Sequence, residues 1–151
     1  DYVRANAAKY EIDSKIFETN DIHIHVPEGA VPKDGPSAGV AITNAIISCL
    51  TATPVDANVA MTGEVTLRGH ALAIGGLREK SIAAHRSGLT KIFIPFDNER
   101  DIEDIPEEVR NVLTIVPVKH ISEILDSIFQ VKLSQERGLP SLSFTIHFLQ
   151  L

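Results

Sequence analysis

The stretch KDGPSAG occupies residues 33–39, and the nearly all-apolar segment of residues 37–51 follows it directly. Pro36 suits the first turn of a helix, where its missing N–H group costs nothing. The stretch therefore predicts a tight bend that leads into a buried helix. Ser37 lies where unpaired backbone N–H groups and the positive end of the helix dipole meet. A serine there can cap the helix, belong to a phosphate-binding loop or act as a nucleophile.

Strands and helices alternate along the rest of the chain, as in one α/β domain. Period-two alternation of Ile22, Ile24 and Val26 predicts a half-buried strand over residues 21–26, with His23 and His25 on its other face. Further strands are predicted at residues 59–67, 71–74, 91–95 and 113–118, the first two joined by a turn at residues 68–70. Helices are predicted at residues 2–11, 77–87 and 121–129, with short helices between residues 98 and 108.

Composition and charge exclude several classes of protein. The chain has 151 residues, which suits one core, and its formal net charge of −6 disfavours a nucleic-acid or anionic-membrane surface. The longest apolar stretch, residues 38–52, is shorter than the roughly 20 residues of a membrane span. The single cysteine, Cys49, excludes an internal disulfide, and its apolar neighbours predict that it is buried.

The phosphate-loop interpretation of Ser37 fails on spacing. Such a loop needs a glycine, four residues and then Gly-Lys-Ser or Gly-Lys-Thr, which residues 33–39 do not supply. Residues 75–81 come nearer but carry Glu79 in place of the second glycine. A helix cap remains open, although Asp34 is the better-placed cap. The small residues Gly35, Ala38 and Gly39 leave space around the hydroxyl that a substrate would need.

A nucleophilic serine needs a base, and Lys80 is the candidate. A lysine three residues after Ser37 is ruled out, because that position is Val40. On a helical wheel Lys80 lies on the small, apolar side of its helix, away from Arg78 and Glu79. Such a lysine either extends its amine into solvent or stays in apolar surroundings, where desolvation lowers its pKa and makes it a base.

Three further side chains are weighed as supporting groups. Thr62 interrupts a predicted strand, and its hydroxyl could orient a lysine amine. His23 and His25 share a strand face, but no third ligand follows at a suitable spacing, so we expect a site-lining role and no metal.

These motifs resemble the proteolytic domain of Lon, the ATP-dependent protease. The resemblance covers roughly residues 1–131 and rests on HIHVPEGA at 23–30, PKDGPSAG at 32–39, MTGEVTLRG at 61–69, IGGLREK at 74–80, AAHR at 83–86 and IP at 94–95. It implies one domain over residues 1–131, with a small mixed sheet flanked by helices. Relative to the family, the domain is expected to be N-terminally truncated, and residues 132–151 form a tail of uncertain structure.

The resemblance also implies roles for the site residues. Ser37 is then the nucleophile and Lys80 the general base of a Ser–Lys dyad, with Thr62 supporting the lysine. Asp34 and Gly35 match the mobile segment before the serine, and His25 lines the site.

The implied function is a serine endopeptidase that degrades misfolded, damaged and regulatory proteins. ATP, with Mg, is expected on an ATPase module of the full-length protein and not on this chain. The expected partners are protein substrates and further copies in a hexamer, without nucleic acid or membrane, in the cytoplasm or else the mitochondrial matrix. Two alternatives remain: a Lon-like protease without a fused ATPase, and a non-catalytic scaffold or oligomerisation module.

Overall fold

The computed structural model describes residues 1–24 and 36–128, and contains helices on both faces of a small sheet. The α-helices are α1 (Tyr2–Ala5), α2 (Ile16–Thr19), α3 (Gly39–Thr51), α4 (Leu77–Arg86), α5 (Glu107–Arg110) and α6 (Ile121–Ile128). Short 3-10 helices cover Ala7–Tyr10, Pro36–Ala38 and Phe96–Asp104. The strands are β1 (Val59–Met61), β2 (Glu64–Val65), β3 (Ala71–Leu72), β4 (Lys91–Pro95) and β5 (Thr114–Val118).

The strands form two units, a parallel sheet and an antiparallel hairpin. The parallel sheet has the order β1-β4-β5, with Ala60 opposite Ile92 and Phe93 opposite Val116. Strands β2 and β3 pair antiparallel, with Val65 opposite Ala71. This arrangement confirms the predicted α/β class with a small mixed sheet flanked by helices.

The central strand β4 separates two apolar layers. Ile92 and Ile94 point into a layer that includes Leu77 and Ala84 of α4, whereas Phe93 points into a layer with Val40 of α3. Successive strand residues face opposite sides, so a strand covered on both faces is apolar throughout. This explains why residues 92–95 form a continuous apolar run.

The N-terminal segment packs against α3 and α6 through a third apolar cluster. Tyr2 and Val3 are buried there with Ile47 and Ile121. The hydroxyls of Tyr2 and Tyr10 are 2.8 Å apart. Burial, and then this hydrogen bond, raise the pKa of the Tyr10 phenol.

The structure contradicts three predictions from the sequence. The single strand predicted at residues 59–67 is divided into β1 and β2, which belong to different sheets. Residues 21–24 lie outside any strand and are exposed, because no described strand runs alongside to accept and donate their backbone hydrogen bonds. Residues 25 and 26 of that predicted strand, and the tail at 132–151, lie outside the described residues. Cys49 is exposed, since the buried face of α3 is formed by Val40, Asn44 and Ile47 instead.

Candidate active site

Ser37 lies in the short 3-10 helix that leads into α3, and its side chain is half-buried. Ala38 occupies the N-cap position of α3, and no side-chain hydrogen bond caps that end. The helix-cap interpretation of Ser37 is therefore not what the structure shows. The hydroxyl instead meets a side chain from a different helix.

That side chain is Lys80, in the first turns of α4. Its Nζ lies 3.5 Å from the Oγ of Ser37 and donates to it. Lys80 is half-buried, whereas Arg78 and Glu79 on the same helix are exposed and form an ion pair with each other at 3.5 Å. The helical wheel therefore predicts the inward orientation of Lys80 correctly. A catalytic proton transfer needs about 2.6–3.2 Å between heavy atoms, and unliganded sites are often looser.

Thr62 lies directly after β1 and is buried, with 5% of its surface exposed. Its N–H donates to the carbonyl of Phe93 at 3.1 Å, which extends the β1–β4 ladder by one residue. Its Oγ1 donates to the backbone carbonyl of Ser37 at 3.4 Å. The structure thus places Ser37, Thr62 and Lys80 together, and joins the Thr62 hydroxyl to the serine backbone. Its support of Lys80 stays a prediction.

Gly39 packs against the backbone of residues 63–65, whereas the sequence suggested that its small size leaves space around the Ser37 hydroxyl. A Cβ atom at Gly39 would lie 3.1 Å from the backbone nitrogen of Val65 and 3.5 Å from the carbonyl oxygen of Gly63. The missing side chain at this position lets α3 approach the backbone of residues 63–65. The space at Gly39 therefore serves packing against the hairpin.

Gly63 is a site residue that the sequence reasoning missed. Its N–H donates to the carbonyl of Ser37 at 2.9 Å, and its own carbonyl accepts from the N–H of Val40 at 2.9 Å. A glycine inside a strand pattern is a signal of close backbone approach, and this signal was available in the sequence.

Four further residues were predicted to belong to the site or to line it. His25, Asp34 and Gly35 lie outside the described residues. His23 is exposed in the irregular segment of residues 21–24.

A surface depression of about 430 Å³ lies at the amino end of α4. It is lined by Ile74, Gly75, Gly76, Leu77, Arg78, Glu79, Asp101 and Asp104. Neither Ser37 nor Lys80 lines it. Within residues 1–24 and 36–128, no helix is both long and apolar enough to traverse a lipid bilayer.

Comparison with known proteins decides the family. Residues 1–131 match the Lon protease (S16) C-terminal proteolytic domain. The chain belongs to this family. The resemblance predicted from the motifs is confirmed.

Individual Lon proteases are similar over most of the chain. The Lon protease of Brevibacillus choshinensis is 60% identical over 124 residues, which is 82% of this chain and 16% of that protein. The Lon protease of Escherichia coli strain K12 is 59% identical over 123 residues, with the same two shares. The Lon protease of Mycoplasmopsis agalactiae is 56% identical over 135 residues, covering 89% of this chain and 14% of that protein. The chain thus spans about a sixth of the length of these relatives.

Proposed function

We propose that this chain is the serine endopeptidase domain of an ATP-dependent protease, with Ser37 as nucleophile and Lys80 as general base. The observation that carries the proposal is the 3.5 Å approach of the Lys80 amine to the Ser37 hydroxyl. The family match over residues 1–131 supports the peptidase class.

The proposed chemistry proceeds through an acyl-enzyme. The neutral amine of Lys80 takes the proton of Ser37 as Oγ bonds to the carbonyl carbon of the scissile peptide. Backbone N–H groups around Ser37, at the amino end of α3, stabilise the oxyanion that forms. The Lys80 ammonium then returns a proton to the leaving amine as the peptide C–N bond breaks. Water cleaves the ester by the reverse proton path and restores the free serine.

Lys80 suits this role by position. It stands on a helix that packs on one face of the sheet, while Ser37 precedes a helix on the other face. The two groups are therefore fixed by different elements of one rigid core. A base held in place by the fold converts proton transfer into an intramolecular step.

The substrates and partners that we propose for the full-length protein are those expected of a Lon protease. The substrates are misfolded, damaged and regulatory proteins, and the full-length protein binds ATP with Mg on a separate module and assembles as a hexamer. The bacterial cytoplasm is the proposed location. An upstream ATPase motif in the full-length protein would separate this proposal from a Lon-like protease without a fused ATPase.

Peptide hydrolysis tests the proposal. We expect a fluorogenic peptide to be cleaved, with an acyl-enzyme at Ser37 visible by mass spectrometry after acid quenching. Ser37→Ala should abolish both signals. Peptide binding without any acyl-enzyme, in this chain and in the full-length protein, would favour the scaffold alternative.

A further inference from the structure

Gly63, which lies between β1 and β2, makes two backbone hydrogen bonds to the turn that carries Ser37. Its N–H donates to the Ser37 carbonyl at 2.9 Å, and its carbonyl accepts from the N–H of Val40 at 2.9 Å. One peptide unit on each side of Gly63 therefore holds both ends of the segment Ser37–Val40. We refer to these two hydrogen bonds as the Gly63 clamp.

The backbone and surroundings of Gly63 exclude any side chain. Its φ angle is +149°, which residues other than glycine rarely adopt. A Cβ atom would lie 2.9 Å from Cγ2 of Val40 and 3.2 Å from Cγ of Pro95. Both neighbours are buried, so neither can easily move aside.

The Gly63 clamp connects the serine to the rigid part of the domain. Thr62, the preceding residue, donates its N–H to the Phe93 carbonyl of the central strand β4 at 3.1 Å. Val40, on the other side of the clamp, is fully buried against the sheet. The position of the Ser37 backbone is therefore set by the sheet as well as by α3.

We propose that Gly63 is a positioning residue, whose clamp aims the Ser37 hydroxyl at the Lys80 amine. This rests on the proposed function, in which Ser37 is the nucleophile. Ser37 and Lys80 belong to different elements, so a shift of the Ser37–Val40 turn changes their separation directly. A misplacement of about 1 Å can cost about 100-fold in rate.

The test compares Gly63→Ala with two control variants in the whole chain. Gly69 also has a positive φ, +89°, and a Cβ there would lie 2.5 Å from His120 and from Tyr2. Gly88 has a φ of +75° and open space around it. Gly69→Ala thus reproduces backbone strain with a steric clash away from Ser37, and Gly88→Ala reproduces the strain alone.

The experiment measures the reaction of Ser37 with a fluorophosphonate. Varying the reagent concentration separates the affinity for the reagent from the rate of the bond-forming step. Each variant is assayed well below its own Tm. Gly63→Ala should slow the bond-forming step by about 100-fold, while both controls react like the parent chain. Equal slowing in the controls, or an unchanged rate in Gly63→Ala, would overturn the proposal.

Two further variants guard against a simple loss of folding. Gly39→Ala places a methyl group of α3 against the backbone of residues 63–65 at a position without a positive φ. It should also slow the bond-forming step. Val40→Ala removes the Cγ2 atom that Gly63→Ala would strike, so the double variant should recover part of the lost rate. Failure of Gly39→Ala to slow labelling, together with no recovery in the double variant, contradicts the clamp.

Amide hydrogen exchange separates failure of this inference from failure of the proposed function. The Val40 N–H should be protected in the parent and should exchange faster in Gly63→Ala than in Gly88→Ala. If the parent is never labelled at Ser37, the proposed function fails for this chain, and the exchange result alone decides the clamp. Unchanged Val40 exchange would then overturn it.

Discussion

The Nζ of Lys80 lies 3.5 Å from the Oγ of Ser37, although 43 positions separate the two residues in the sequence. The two residues come from helices on opposite faces of the sheet, since α3 packs against Phe93 of β4 and α4 against Ile92 and Ile94. We propose this pair as the reacting centre, and Thr62 and Gly63 both hydrogen-bond to the backbone carbonyl of Ser37.

Replacing Lys80 with Arg keeps the positive charge but removes the base. Arginine stays protonated at any working pH and cannot take the serine proton. We expect peptide cleavage to fall by about 100- to 10,000-fold. Lys9→Arg, at an exposed position, is the matched control and should cleave like the parent. Substantial turnover by Lys80→Arg would show that the amine is not a base.

Removing the Thr62 hydroxyl should loosen the serine backbone. Thr62→Val keeps the shape of the buried side chain and deletes the donor to the Ser37 carbonyl. A hydrogen bond of this kind contributes about 0.5–1.5 kcal/mol. We expect cleavage to fall by up to about tenfold, and Thr62→Ser to recover most of it. Parental cleavage by Thr62→Val, with a loss confined to Thr62→Ser, would point to the methyl group instead.

Asn98 should be a stability determinant of the segment that enters α4. It is buried, accepts from the Ile74 N–H at 2.9 Å and donates to the Ile74 carbonyl at 2.8 Å and to Asp101 at 2.7 Å. Asn98→Ala leaves buried backbone groups unpaired, so the free energy of unfolding should fall by about 2–4 kcal/mol. Urea titration measures this, with the exposed Asn111→Ala as a control that should stay within about 0.5 kcal/mol of the parent.

The thiol of Cys49 should react in the folded protein. It is exposed on α3, and reactivity of a thiol requires access. We expect one equivalent of Ellman's reagent to be consumed without denaturant. If Cys49 reacted only after addition of guanidinium, the thiol would be buried, as its apolar neighbours in the sequence predict.

Local sequence signals predicted most of the elements. The apolar run at residues 91–95 matches β4, and the turn at 68–70 joins β2 to β3 as expected. The prolines and glycines around α3 and α4 placed those helices within about two residues. These features depend on residues adjacent in the chain, which is why a single sequence suffices for them.

Features set by distant partners were missed. Residues 59–67 look like one strand, but the chain leaves the parallel sheet at Thr62 and Gly63 and enters the hairpin. The glycine at position 63 signals a close backbone approach, but its positive φ and its hydrogen bonds to the Ser37–Val40 turn depend on a partner that no local pattern identifies. For the same reason, the alternation of Ile22 and Ile24 predicted a strand that no described partner completes.

The sequence predicted which residues belong to the candidate site, but not how their side chains are arranged in space. The motifs identify Ser37, Lys80 and Thr62, and their meeting point could not be derived from spacing alone. The direction of the Thr62 hydroxyl towards the Ser37 carbonyl depends on the β1–β4 ladder. It therefore emerges only in three dimensions.

The most direct measurement is covalent capture at Ser37. The chain is treated with a peptidyl boronate or a fluorophosphonate, and the product is located by intact mass and peptide mapping, beside Ser37→Ala and Lys80→Ala. We expect one adduct, on Ser37, that disappears in both variants while their circular dichroism spectra match the parent. An adduct on Ser37 that persists at the parental rate in Lys80→Ala would contradict the Ser–Lys dyad.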